Sequence, residues 1–280
     1  MIFGFFEQLL FRCSWLPGRI GLLSKCLDLF NVGGLRIGYW SQGFKMECNL
    51  DLNFERAIYL GLYDLNELEV IRRNLTGKGM FLDCGANLGI YSIFAANQLR
   101  KNASVIGVEP NPVIFKRFKR NINLNKFESF VEVHQVAISS SSGNAVLEIP
   151  NHTHTMSSLH RDAAAKAGAD TESIEVELLT IDQIAAGRSV EGIKLDTEGH
   201  ELPALEGAID CLQKHKPWLL LEYNPKLASN ECLGSWEVHR LLANLGYQPK
   251  LSQNPIGPVL QDHWSSEGTT NLLYKQELEP

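Results

Sequence analysis

The chain has 280 residues, 44% of them apolar, with 26 lysines and arginines against 32 aspartates and glutamates for a net charge of -6. That length supports a buried core without staples, and an acidic balance with no long basic run argues against a nucleic-acid partner, because phosphate binding draws on clustered Lys and Arg. The 6 cysteines are scattered with no Cys-x-x-Cys pair, a usage that suggests reduced thiols and a cytoplasmic location.

The first segment, MIFGFFEQLLFRCSWLPG, is apolar but interrupted by Glu7, Gln8 and Arg12, and it falls short of the roughly 20 apolar residues a membrane span requires. On a helix those three polar residues share one side and Phe3, Phe6, Leu10 and Cys13 another, so an amphipathic helix is expected. It would pack on the domain or on a second copy in an oligomer; peripheral membrane contact through residues 1–15 is the alternative. Strand-like runs from Arg36 to Leu50 flank a Ser-Gln-Gly turn, a hairpin signal. Phe54 to Leu75 has apolar residues at helical spacing and predicts one helix. Residues 1–75 thus read as a prefix to a domain over 76–280.

After Thr76-Gly77-Lys78-Gly79 the pattern alternates strand and helix, which implies a parallel sheet covered on both faces. Strands are expected at Met80 to Cys84, Val105 to Glu109, Val131 to Ile138, Ile193 to Asp196 and Trp218 to Tyr223. Helices are expected at Ile90 to Leu99, Val113 to Leu124 and Leu202 to His215. SSSSGNAVLEIP reads as a turn and an added strand. The polar stretch 151–173, with His152, His154 and His160, reads as a solvated loop able to close over a site. A helix over Trp236 to Leu245, a strand at Tyr247 to Leu251 and a last strand in TNLLYK complete the chain.

In such sheets ligands sit beyond the carboxyl ends of the strands, so Asp83, Glu109, Asp196 and Glu222, each closing a strand, should line one crevice. FLDCGANLGIYS places Asp83 before a glycine turn whose Gly85 and Gly89 bring the backbone close to a ligand. The spacing is G-x-x-x-G, not the G-x-G-x-x-G of a pyrophosphate loop, and a carboxylate beside it would repel a pyrophosphate. Asp83 suits a cationic or amine-bearing ligand instead. Glu109 suits a pair of ribose hydroxyls. A nucleoside with a positively charged side chain and no phosphate is S-adenosylmethionine.

FLDCGANLGIYS, VIGVEPNP, GIKLDTEGHELPALEGA and LLLEYNP, in this order, closely resemble the FkbM-type S-adenosylmethionine-dependent methyltransferases. The resemblance runs from about Tyr59 to the last strand. It implies a class I methyltransferase (Rossmann-like) α/β fold, a seven-stranded mostly parallel sheet with helices on both faces whose last strand runs antiparallel. It also implies O-methylation of a hydroxyl on a sugar, glycan or related natural product. Carried over, Asp83, Gly85 and Asn87 match the donor loop, Glu109 the ribose contact, and Asp196, Glu198 and Gly199 the motif after the fourth strand. Many members read Tyr-Glu where this chain has Tyr63-Asp64. With Gly89 and Asn111 the expected donor-binding set is Asp83, Gly85, Asn87, Gly89, Glu109 and Asn111. Glu198, Glu222 and Asn224 are the expected substrate contacts.

Methyl transfer to a hydroxyl is an in-line displacement that needs alignment and removal of the hydroxyl proton. The strand period puts Lys194 and Asp196 on one face, with Ile193 and Leu195 on the other. His200, whose ordinary pKa lies near neutrality, suits a general base. The catalytic set is therefore His200, Asp196 and Lys194. Asp196, Glu222 and Asn224 are oxygen donors that could hold magnesium. Two other readings stand beside this one: an NAD-dependent oxidoreductase, disfavoured by the glycine spacing and Asp83, and a non-catalytic donor-binding or scaffold protein.

Overall fold

Period-2 alternation along the central strands decides which side chains face which layer of helices. A computed structural model describes residues 18–30, 32–100, 104–150, 159, 171–225, 232–266 and 268–276. The expectations for the helix of residues 1–15 and for His152, His154 and His160 lie outside the described residues. Helix α1 (Arg19–Leu29) leads into a hairpin of β1 (Leu35–Tyr39) and β2 (Lys45–Asn49), then helices α2 (Asn53–Tyr59) and α3 (Leu65–Asn74). The alternating region begins with β3 (Met80–Cys84), α4 (Ile90–Leu99), β4 (Val105–Val108), α5 (Pro112–Asn125) and β5 (Val131–His134). β6 (Ala137–Ile138), β7 (Gly143–Pro150), β8 (Thr171–Leu179) and α6 (Ile181–Ala185) follow. Then come β9 (Val190–Leu195), α7 (Glu201–Glu206), α8 (Ile209–His215), β10 (Trp218–Tyr223), α9 (Glu237–Asn244), β11 (Tyr247–Leu251) and β12 (Thr270–Gln276).

Seven strands form one sheet in the order β11-β12-β10-β9-β3-β4-β5, and β12 runs antiparallel to both its neighbours while the other pairs are parallel. This is the class I methyltransferase arrangement. From β3 the chain winds outward through β4 and β5, then returns to place β9 on the other side of β3. That reversal of direction opens a crevice at the carboxyl ends of β3 and β9. Met80, Leu82, Ile193, Leu195, Leu219 and Leu221 face one core with α6 to α9, while Phe81 and Leu220 face the other with α4, α5 and the N-terminal elements. Gly192 has no side chain because Phe81 and Trp218 stack across it at 5.5 Å, and a Cβ there would lie 2.2 Å from the Trp218 ring.

Three predicted elements divide. The helix expected from Phe54 to Leu75 breaks between α2 and α3, where Gly61 (φ 67°) and Asp64 (φ 45°) take left-handed backbone. The helix expected from Leu202 to His215 breaks at Gly207, where a Cβ would meet the Ser139 carbonyl at 2.2 Å. The strand expected from Val131 to Ile138 divides because β6 leaves the main sheet to pair with β8 in a separate three-stranded sheet, β6-β8-β7. Part of the polar stretch read as loop belongs to β8.

The N-terminal elements are tied to the sheet domain by buried polar contacts. Arg117 of α5 makes an ion pair at 2.6 Å with Glu55 of α2, which is fully buried. The outward amides of β2 are received by side chains: Lys45 by Asn125 at 2.8 Å and Glu47 by Asn121 at 2.7 Å. One apolar cluster runs continuously from Leu27 and Trp40 to Phe81 and Phe118. Among the described residues no helix is long and apolar enough to cross a membrane.

Candidate active site

The crevice at the carboxyl ends of β3, β4, β9 and β10 deepens into a cavity of about 470 Å³. Its floor is the turn after β3. Gly85 (φ 81°) passes so close to the end of β9 that a Cβ would sit 1.8 Å from the Asp196 carbonyl. Glycine is required there by both the backbone angle and the contact. Asn87 also takes positive φ, 50°, and its amide donates to Glu109 Oε2 at 2.9 Å.

Glu109 follows β4 and accepts a second amide, that of Asn111, on Oε1 at 2.9 Å. Each of its oxygens therefore holds one backbone N–H and keeps a further acceptor site. Burial pushes its pKa up to about 7 against the lowering effect of the two amides.

Three of the four strand-end acids, Glu109, Asp196 and Glu222, line the cavity. Asp83 does not. In β3 it lies on the same face as Phe81, behind the turn, fully buried, with Oδ2 accepting from the Ser92 amide at 2.9 Å and the Ser92 hydroxyl at 2.6 Å. It fastens α4 to the sheet, and burial raises its pKa to about 6. Two other expected donor-binding residues also stand behind the wall. Asn111 caps α5, its side chain accepting from the Val113 amide at 2.9 Å. Gly89 (φ 85°) precedes α4, where a Cβ would lie 2.0 Å from the Phe118 ring. Gly85, Asn87 and Glu109 reach the cavity itself.

The second wall is the turn after β9. Glu201 gathers it: its Oε1 accepts from the Thr197 amide at 3.0 Å, the Thr197 hydroxyl at 3.2 Å and the Gly199 amide at 3.1 Å. This holds Glu198 in left-handed backbone, φ 51°, a conformation that costs a side-chain-bearing residue about 1 kcal/mol. Asp196, Glu198, His200, Glu222 and Asn224 all line the cavity. His200 Nε2 lies 3.1 Å from the Ser139 hydroxyl.

Lys194 is 1% exposed and stands behind Asp196, its Nζ 3.1 Å from Asp196 Oδ2 and 5.3 Å from the centre of the Tyr91 ring. Burial acts to lower its pKa, but Asp196, Glu222 and Asp83 together hold it above the ordinary value. Burial and then Asp196 raise Glu222 to about 7 and Glu198 to about 8.

Asp196 thus already has a cation beside it, and an ammonium on that oxygen would oppose a magnesium ion, which needs close oxygen ligands in near-octahedral array. The trio Asp196, Glu222 and Asn224 does not fit magnesium as it stands. Among the described residues no group of three or more His, Cys, Asp or Glu side chains is placed to hold a metal.

The N-terminal elements contribute wall that sequence reasoning did not assign: Phe54 and Ile58 of α2, and Tyr63 before α3. Apolar residues four apart on a helix read as core, and only the placement of α2 over the crevice turns them into lining. Tyr91 of α4 also lines the cavity, and its hydroxyl donates to Asp64. Trp264 packs against Tyr223 at 5.9 Å, on the core shared with α6 to α9.

The methyltransferase FkbM domain family matches residues 83–249. The hexuronic acid methyltransferase AglP of Haloferax volcanii is 29% identical over 139 residues, covering 47% of this chain and 50% of that protein. The chain thus spans about half the length of this curated relative. Among solved structures, a methyltransferase FkbM from Methylobacillus flagellatus has 19% identity and a TM-score of 0.46, covering 79% of this chain and 54% of that one. A TehB-like SAM-dependent methyltransferase from Corynebacterium glutamicum has 11% identity and a TM-score of 0.43, covering 79% and 92%.

Proposed function

Because the chain belongs to the FkbM methyltransferase family, we propose that it transfers a methyl group from S-adenosylmethionine to a hydroxyl of a sugar, glycan or related natural product. The observation that carries the donor half is the sign of the wall: Glu109, Asp196, Glu198 and Glu222 line the cavity, and among its described lining residues there is no lysine or arginine. A dinucleotide would bring a pyrophosphate into that field with no cation among the described lining residues to meet it. A sulfonium and an ammonium are attracted by it. The sugar acceptor is supported by the likeness to AglP, which is named for methylating a hexuronic acid.

The residues fit the donor. Gly85 leaves room for close approach to the backbone, and the remaining acceptor sites of Glu109 suit two ribose hydroxyls. S-adenosylmethionine supplies an electrophilic methyl group; the chain supplies alignment and a place for the proton. His200, with the Ser139 hydroxyl beside Nε2, accepts the proton of the acceptor hydroxyl. Asp196, kept in register by Lys194, orients the acceptor by accepting a hydrogen bond from a neighbouring hydroxyl, which leaves the reacting proton to His200. Asn224 and Glu222 contact the rest of the acceptor.

Calorimetric titration with S-adenosylhomocysteine beside NAD tests the donor, followed by methyl-transfer assays on hydroxylated sugars with and without magnesium. Binding of the first nucleoside alone is expected. NAD binding, or no binding of S-adenosylhomocysteine by folded protein, would overturn the donor assignment, and a product methylated elsewhere than on oxygen would overturn the acceptor assignment.

A further inference from the structure

The hairpin of β1 and β2 has one closed edge and one open one. On β2 the amides of Lys45, Glu47 and Asn49 point outward and donate to the side chains of Asn125, Asn121 and Glu55. In an antiparallel pair, successive residues turn their backbone groups alternately toward the partner strand and away from it. With Leu35 opposite Asn49, Ile37 opposite Glu47 and Tyr39 opposite Lys45, the bonds inside the hairpin fall to Arg36 and Gly38. Leu35, Ile37 and Tyr39 therefore direct their amides and carbonyls away from β2. Among the described residues these groups meet one donor, the Arg36 guanidinium on the Leu35 carbonyl at 2.9 Å, an exposed bond between neighbours.

The side chains of β1 suit further pairing. Leu35, Ile37 and Tyr39 share the outer face and are 48%, 42% and 62% exposed. On the inner face Gly38 lies against the backbone of α2, where a Cβ would be 2.7 Å from the Tyr59 carbonyl. Edge strands are normally closed to another chain by a proline, a lysine or a bulge. β1 carries neither proline nor lysine, and its register with β2 runs without a shift.

We infer that β1 is the contact of a symmetric dimer, in which the β1 strands of two copies pair antiparallel about Ile37 and join the two hairpins into one four-stranded sheet. The strand is self-complementary about that residue. A two-fold axis there sets Leu35 opposite Tyr39 and Ile37 opposite Ile37, apolar against apolar, and lets the outward groups exchange about six backbone hydrogen bonds. Arg36, the one charge on the strand, comes opposite Gly38 of the partner subunit, so like charges do not face each other. A strand pair of this length covers less than the roughly 1,200 Å² of a standard interface, which sets the expected dissociation constant in the micromolar range. β1 contributes no residue to the cavity wall, and the pairing is independent of the methyl-transfer reading.

Sedimentation velocity on the full chain, from about 1 μM to about 1 mM, should show an equilibrium between monomer and dimer. Ile37→Lys puts two ammonium groups across the axis and should weaken association about tenfold or more, with the thermal transition and S-adenosylhomocysteine affinity of the parent retained. Ile37→Cys should yield a disulfide-linked dimer under mild oxidation, because pairing about residue 37 brings its two Cα atoms to about 5.5 Å, within disulfide reach. Val146→Cys, comparably exposed at 40% on β7, and the parent with its 6 native cysteines should not. A chain that stays monomeric over the whole range overturns the inference, whether the edge is left open or is taken by another protein. So does a dimer that Ile37→Lys leaves intact, or one that forms no link through residue 37. If Ile37→Lys fails to fold, the cysteine variant decides alone.

Discussion

Glu109 does two things with one carboxylate. Its oxygens pin the Asn87 and Asn111 amides at 2.9 Å each, shaping the turn, and the same side chain lines the cavity. Glu109→Ala should weaken S-adenosylhomocysteine binding about tenfold to a hundredfold, the range for lost hydrogen bonds to a charged group, in a protein that still folds. Unchanged affinity in calorimetry would remove the ribose assignment. His200→Ala should leave that affinity nearly intact and lower turnover by about a hundredfold or more, the usual contribution of a general base. Turnover close to the parent's would give the proton to another group. At this scale the cavity residues were legible because acids and amides just past the ends of parallel strands face the crevice. Asp83 and Asn111 were not, because a strand-end side chain and a helix cap are captured by local donors, Ser92 and the Val113 amide, that the motif does not announce.

The elements that sequence periodicity rendered well are those whose ends have a local cause, as in β3, α4 and β10, each found where the apolar run begins and stops. The failures have causes outside the segment. The helix breaks at Gly207 because Asp182, far away in sequence, takes its partners: the Asp182 amide donates to the Gly207 carbonyl at 3.0 Å, and the Asp182 carboxylate accepts from the Asp210 and Cys211 amides at 3.1 and 2.8 Å. β6 departs from β5 because β8 offers it a partner, and nothing in residues 131–138 encodes that. The placement of α2 over the cavity is likewise set by a contact between distant residues, the buried pair of Glu55 and Arg117. Removing one partner of such a pair strands the other, at a cost of about 3 to 5 kcal/mol. Arg117→Met should therefore destabilise the protein by that amount in chemical denaturation and, by loosening the helix that brings Phe54 and Ile58 to the wall, weaken ligand binding. Adding Glu55→Leu should recover most of the stability, since the uncompensated charge is gone. A double variant no more stable than the single one would mean that the pair acts through its geometry alone.

For the whole molecule, the clustering of acids at one end of the sheet has a consequence for stability. Asp83, Glu109, Glu222 and Glu198 have folded-state pKa values of about 6, 7, 7 and 8 against ordinary values of 3.8 and 4.5. Between those limits the folded chain holds more protons than the unfolded one, so unfolding releases protons and stability falls as pH rises. The ligand-free protein should show its melting temperature dropping by several degrees from about pH 5 to about pH 8, the reverse of a protein stabilised by salt-bridged carboxylates. Saturating S-adenosylmethionine places positive charge among the same groups and favours their ionised forms, so the slope should flatten and binding should strengthen over the same interval, with protons released on complex formation. Calorimetry in buffers of different ionisation enthalpy counts those protons. A melting temperature that rises over this range, with no proton release on binding, would mean that the carboxylates are already ionised in the free protein and that the cavity is open enough to hydrate them.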